Sequence, residues 1–157
     1  MRLIYAGVGA LSAKDPLDQA AQDYAQRLTH YTRFELRTVE AVARKGGASD
    51  EKIESEEAAR LRKLMPARAW QVALDERGKL HTTDALSKRL STWLNSGRDV
   101  ILYQGGPTGL SDELKASCDE TWSLSPLTLP HRLARVVALE ALYRAFTVLR
   151  GEPYHRA

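Results

Sequence analysis

The chain has 157 residues, 43% of them apolar and 27% charged, which is enough for one domain with a sizeable core and too few for two ordinary ones. Its 23 basic and 20 acidic side chains leave a net charge of +3, a balance that excludes neither an RNA partner nor a purely metabolic role. The excess sits at the end of the chain, where residues 131–157 carry Arg132, Arg135, Arg144, Arg150 and Arg156 against Glu140 and Glu152.

Leu3 to Val8 reads as a short buried strand. The run then breaks into Ser, Lys, Asp and Pro, shorter and less apolar than a secretory signal. Asp15-Pro16 supplies an N-cap and a proline at the first helical position, opening a helix whose expected buried stripe is Leu17, Ala21, Tyr24, Leu28 and Tyr31. Phe34 to Val42 alternates like a strand. The basic loop Arg44-Lys45-Gly46-Gly47-Ala48-Ser49 leads into a charged helix from Asp50 to Met65, closed by Pro66. Ala69 to Leu74 predicts a third strand, Asp75 to Gly78 a turn, and Thr83 a cap for a helix that ends near Gly97. Asp99 to Tyr103 is the fourth strand, Ser111 caps a short helix to Cys118, and Thr121 to Leu124 is the fifth strand. The last helix runs from His131 to Arg150 with Gly151 as its stop. Strands alternating with helices predict a single α/β domain over 1–157, a mostly parallel sheet flanked by helices that binds ligands beyond the carboxyl ends of its strands.

The lone Cys118 has no partner for a disulfide or a cysteine zinc site, no His/Asp/Glu cluster has metal-ligand spacing, and no stretch has the ~20 uncharged residues of a membrane span. A cytoplasmic protein with no metal and no membrane partner is the expectation. Cys118 itself reads as core, and His30 and His81 as surface residues.

Two loops stand at ligand-binding positions. In Gly105-Gly106-Pro107-Thr108-Gly109 absent side chains let backbone N–H groups approach a nucleotide-like ligand. It is neither a Walker A loop nor a dinucleotide fingerprint, and the glycines alone fit a ligand-free turn equally well. The second loop, Leu124-Ser125-Pro126-Leu127-Thr128-Leu129-Pro130-His131, alternates leucines with small polar residues between two prolines, a backbone able to wrap a flat apolar ligand such as a purine; a buried connection is the other reading. The last helix is apolar nearly all round, with 13 hydrophobic residues among the 17 from Leu133 to Leu149, so it needs a second partner surface: another copy in a homodimer, or the interior of one subunit. Glu140 and Arg144 have the i, i+4 spacing of a local ion pair. Tyr154-His155-Arg156 places a stacking ring, a group titrating near neutrality and a guanidinium together, a set suited to unpaired RNA, although chain ends usually fray.

Taken together, Gly105-Gly106-Pro107-Thr108-Gly109-Leu110, Trp122 through His131, Glu140-Ala141-Leu142-Tyr143-Arg144-Ala145 and Pro153-Tyr154-His155-Arg156 resemble the RlmH family of SPOUT-superfamily methyltransferases. The resemblance spans the whole chain, including Tyr24-x-x-Arg27 and the basic loop. It implies a homodimer with a C-terminal deep trefoil knot that binds S-adenosylmethionine and methylates N3 of a pseudouridine in 23S ribosomal RNA, on the ribosome or large subunit. A knot is something that general fold rules disfavour and periodicity does not reveal. Carried over by motif, the cofactor residues are Leu74, Gly105, Gly106, Gly109, Leu124, Ser125, Pro126, Leu127, Thr128 and Leu129. The expected catalytic residues are His155, with Tyr154, and Glu140 as a second candidate for handling the proton. Arg144 and Arg156 are the expected phosphate contacts. Gln104, Ala141 and Arg156 depart from the family's usual aliphatic, glutamine and lysine. The alternatives are a ribosome-associated RNA-binding protein that keeps the fold without catalysis and, further off, a nucleotide-binding hydrolase or oxidoreductase, which would need a phosphate lysine, metal cluster or acidic ribose partner after the glycines.

Overall fold

The computed structural model describes residues 1–155. In chain order its elements are β1 (Arg2–Val8), α1 (Pro16–Leu28), β2 (Arg33–Val39), α2 (Asp50–Arg62), β3 (Trp70–Leu80), α3 (Thr83–Ser96), β4 (Val100–Gln104), α4 (Asp112–Ser117), β5 (Glu120–Ser123) and α5 (His131–Leu149). The strands form one sheet in the order β2-β1-β4-β3-β5, with every pair parallel. This is the α/β architecture expected from the strand–helix alternation.

Alternation along the strands builds two cores. Leu3 and Tyr5 of β1, Val72 of β3 and Val100 and Leu102 of β4 face α1, α3 and α5, packing with Ala21, Leu28, Leu90, Trp93, Leu139, Leu142 and Phe146. Ile4, Ala6, Val8, Ala73, Ile101 and Tyr103 point the other way, onto Ala58 and Leu61 of α2 and Leu114 of α4. Covered on both faces, β1 from Leu3 onward and all of β4 are buried throughout, which explains why their sequences read as unbroken apolar runs.

Side-chain caps set four helix starts: Asp15 accepts from the Leu17 and Asp18 N–H groups, Ser49 from Lys52, Thr82 from Ala85 and Ser111 from Leu114. The cap of α3 is therefore Thr82, one residue before the one expected. Pro130 precedes α5 without any side-chain cap. Two further expectations are corrected. The turn at Asp75–Gly78 is an irregularity inside a longer β3, where Asp75 Oδ1 accepts the Arg77 N–H at 2.9 Å and the register to β5 breaks between Leu74 and Lys79. On α1, Leu17 is exposed and Asp18 fully buried, because Asp18 receives Arg132 Nη1 at 2.8 Å, the Ser12 N–H at 2.9 Å and Arg135 Nη1 at 3.4 Å.

Candidate functional site

All five parallel strands end on one edge of the sheet, and a cavity of about 790 Å³ opens there. Its walls are Leu74 to Arg77 of β3, Gln104 at the end of β4 and the glycine loop 105–110 after it, the proline-rich loop through Leu124, Ser125 and Leu127–Pro130, and His131 and Ala134 on the first turn of α5. Nine of the ten residues named for the cofactor line this one space; Pro126 does not.

The glycine loop closes tightly. Gly109 N–H donates to the Gly106 carbonyl at 3.0 Å, and a Cβ at Gly105 would stand 2.2 Å from the Gly109 carbonyl carbon, so a side chain at 105 is incompatible with this turn. The proline-rich loop is held from within and from β3. Ser123 Oγ donates to the Ser125 carbonyl at 3.0 Å, the Leu127 N–H to Ser125 Oγ at 2.9 Å, and Thr128 Oγ1 to Glu76 Oε2 at 3.0 Å. Leu127 is 74% exposed at the tip, so this loop is not simply a buried connection.

The cavity is electrostatically one-sided. Glu54, Asp75 and Asp112 form one rim with Lys115, whose ammonium lies 3.1 Å from Asp75 and 2.9 Å from Asp112. Burial and the neighbouring Asp50 and Asp112 carboxylates push the Glu54 carboxyl upward. On the opposite wall, burial followed by the Arg135 and Arg132 charges lowers the His131 imidazole, which favours its neutral form. Among the described residues no group of His, Cys, Asp and Glu is arranged to hold a metal, and no helix is long and apolar enough to cross a membrane.

The other named residues gather elsewhere. On α5, Arg144 Nε donates to Glu140 Oε1 at 2.9 Å, and the Tyr154 hydroxyl donates to the same oxygen at 3.1 Å. The Arg144 guanidinium lies 4.9 Å from the Tyr154 ring centroid, and Tyr143 meets that ring edge-on at 4.8 Å. His155 follows, half-buried; Arg156 lies outside the described residues. None of Glu140, Arg144, Tyr154 or His155 lines the cavity. Glu140 is six residues beyond Ala134, about 9 Å along the helix. Burial first, then the Tyr24 hydroxyl and Glu140, pushes the Tyr154 phenol well above its ordinary value, so it remains a neutral donor near pH 7 and does not accept a proton.

A second cleft of about 680 Å³ lies between the ends of α1 and α5, lined by Arg27, His30, Tyr31, Tyr143, Arg150 and Glu152. His81 is not a free surface residue: it is half-buried, with its ring 4.8 Å from Trp122. Cys118 is half-buried at the end of α4 against the α2-side core, and burial pushes its thiol up to about 11. Sequence reasoning missed Tyr5, Asp18 and Arg135, buried residues behind the cavity wall: Tyr5 bonds Gln104, and Arg135 meets Asp18 and the Val8 carbonyl. The available signal was a charged residue, Arg135 or Asp18, inside an otherwise apolar helix face.

A family model described as "Predicted SPOUT methyltransferase" matches residues 1–155. The chain belongs to this SPOUT methyltransferase family. Among its relatives, a protein of Bordetella avium named "Ribosomal RNA large subunit methyltransferase H" is 45% identical over 157 residues, covering 100% of both chains. One of the same name from Thioalkalivibrio sulfidiphilus is 45% identical over 140 residues, 89% of this chain and 90% of that one. A solved structure, "The structure of a probable methylase family protein from Haemophilus influenzae Rd KW20", superposes with a TM-score of 0.54 over 99% of this chain and 70% of that one, at 11% identity, a likeness of fold alone.

Proposed function

We propose that the chain transfers a methyl group from S-adenosylmethionine to N3 of a pseudouridine in 23S ribosomal RNA, on assembled large-subunit or ribosomal particles. It acts as a cytoplasmic homodimer of single-domain subunits whose C-terminal half is threaded as a trefoil knot. The observation that carries this reading is the meeting of the glycine loop and the proline-rich loop in one cavity, in a chain alike from end to end to rRNA methyltransferases.

The cavity residues fit the donor. Leu74, Leu124 and Leu129 provide apolar walls for a purine, the two loops provide backbone polar groups for its edges, and the volume suits a nucleoside with a short tail. The bound donor supplies an already activated methyl, so the chain's own work is to align the base and let the N3 proton leave. Methyl transfer breaks the S–CH₃ bond with its electron pair kept by sulfur, forms N3–CH₃ and releases one proton. Tyr154, a neutral phenol fixed to Glu140, orients the base, while His155 takes the proton and Glu140 is the second candidate. Arg144, over the Tyr154 ring, and Arg156 hold neighbouring phosphates.

The separation of the tail cluster from the cavity within one chain supports a site completed across the dimer, each tail serving the partner's cavity. On α5 the half-exposed positions Leu133, Val137, Glu140, Arg144 and Val148 fall on one outward stripe, a face fit for a second copy. Mixing two inactive variants tests this. Gly105→Ala impairs the cavity and His155→Ala the tail, so mixed dimers hold one site with both parts intact, and methylation should return in the mixture. No recovery despite exchange of subunits, or full activity of His155→Ala alone, contradicts the shared site.

A further inference from the structure

Gln104, the last residue of β4, is the polar side chain of the cavity wall that the two loops do not account for. It is 5% exposed, and both ends of its amide are engaged. The Tyr5 hydroxyl of β1 donates to Oε1 at 2.8 Å, and Nε2 donates to the carbonyl oxygen of His131, the first residue of α5. One side chain thus joins β1, β4 and α5.

The surroundings are built around it. Gly7 stands opposite Gln104 in the β1–β4 register, and a Cβ there would lie 3.4 Å from Oε1 and 3.3 Å from Arg135 Nη2. The missing side chain leaves room for the amide and the guanidinium together. Arg135, one turn into α5, donates from Nη2 to the Val8 carbonyl at 2.9 Å and to Gly9 at 3.1 Å. With no side-chain cap at Pro130, the start of α5 is located by these contacts. The glycine loop begins at the residue after Gln104, and the proline-rich loop ends at the residue before His131.

We infer that Gln104 is a positioning residue of the cavity: the Tyr5–Gln104–His131 chain sets the separation between the two loops that hold the methyl donor. This rests on the assignment of the cavity to that donor. Removing the amide lets the first turn of α5 drift from the glycine loop, leaves the buried Tyr5 hydroxyl without its partner and takes one donor from the His131 carbonyl. The cost falls on donor binding, because Gln104 touches neither the tail cluster nor its stripe on α5.

The test is titration calorimetry of S-adenosylmethionine on the full chain, with steady-state methylation of ribosomal particles, for wild type, Gln104→Met, Tyr5→Phe and the double variant. Gln104→Met keeps the side-chain length and removes both amide bonds, so about a tenfold loss of donor affinity is expected, and about threefold for Tyr5→Phe. The double variant should bind no more weakly than Gln104→Met, since the hydroxyl has then already lost its partner. KM for the donor should rise while kcat at saturating donor stays near the wild-type value, a split that general loosening of the fold does not produce. Should Gln104→Met fail to fold, Tyr5→Phe carries the same KM-against-kcat test. Folded variants that bind the donor like wild type, or a fall in kcat at unchanged KM, overturn the inference. Absence of donor binding by the wild-type chain overturns the cavity assignment itself, and the inference with it.

Discussion

Gly105 shows how strictly a single residue can be required. Its missing side chain is where the Gly109 carbonyl carbon passes, so Gly105→Ala must open the loop and should lower donor affinity more than tenfold in a binding titration while the circular dichroism of the sheet and helices is kept. Arg135 is required for a different reason. It is 1% exposed beside the fully buried Asp18, and Arg135→Met leaves that carboxylate with less compensation, for an expected loss of about 3–5 kcal/mol in denaturant unfolding. Glu120 gives a pH signature. Burial raises its carboxyl, but donors from the Trp122 indole, the Arg89 guanidinium and the Trp70 indole outweigh that and hold it below its ordinary value. A carboxyl depressed in the folded state adds stability above its unfolded pKa of about 4.3, and that stability is lost as pH falls through the folded value. The melting-temperature gap between wild type and Glu120→Gln should therefore be widest near neutrality and close below about pH 4; a constant gap across pH contradicts this. The glycine and proline-rich loops were legible because their residue types are unusual for their positions. The Tyr5–Gln104–His131 chain was not, since its members lie far apart in sequence and only the parallel register of β1 and β4 brings the first two together.

Among elements, α5 is the one whose sequence reveals most and least. Its apolar breadth is explained within the subunit by packing on α1 and α3, through Ala138, Leu139, Leu142, Ala145 and Phe146. The remaining stripe from Leu133 to Val148 is what a second copy would cover. Val137→Glu, at the middle of that stripe, should yield a folded monomer in sedimentation equilibrium; a dimer of unchanged strength places the interface elsewhere. Strands and capped helices were legible from local chemistry, as at Asp15, Ser49 and Ser111. The long β3 was not, because Asp75-Glu76-Arg77-Gly78 has turn chemistry and it takes pairing of Lys79 and Leu80 with β5 to draw it into the sheet. Leu17, expected to be buried, is exposed, and Asp18 is buried in its stead because Arg132 and Arg135, more than a hundred residues away, meet the carboxylate. The proposed knot would belong to the same class of property, since threading is a matter of chain path and leaves no local mark.

For the whole molecule, charge gives a direction of approach. The α2–α4 rim of the cavity carries Glu54, Asp75 and Asp112, whereas the cations Arg27, Arg144 and Arg150 and the ring of His30 lie along α1 and α5 with Tyr31, Tyr143 and Tyr154. With the proposed function, RNA, with its phosphates and unpaired bases, is expected on the α1–α5 side. Arg150→Glu should then raise the KM for ribosomal particles several-fold and leave donor affinity untouched; an equal change in both would point to general damage. A net charge of only +3 supplies little of the phosphate neutralisation that holds free RNA, so a short hairpin should be a much poorer substrate than an assembled particle. Transfer of labelled methyl from S-adenosylmethionine to large subunits and ribosomes from a strain lacking this protein, with the product nucleoside identified by mass spectrometry, decides whether the chain is this methyltransferase. Label is expected in 3-methylpseudouridine of the large-subunit RNA. Label in another nucleoside, or none on any particle from a chain that binds the donor, would contradict it.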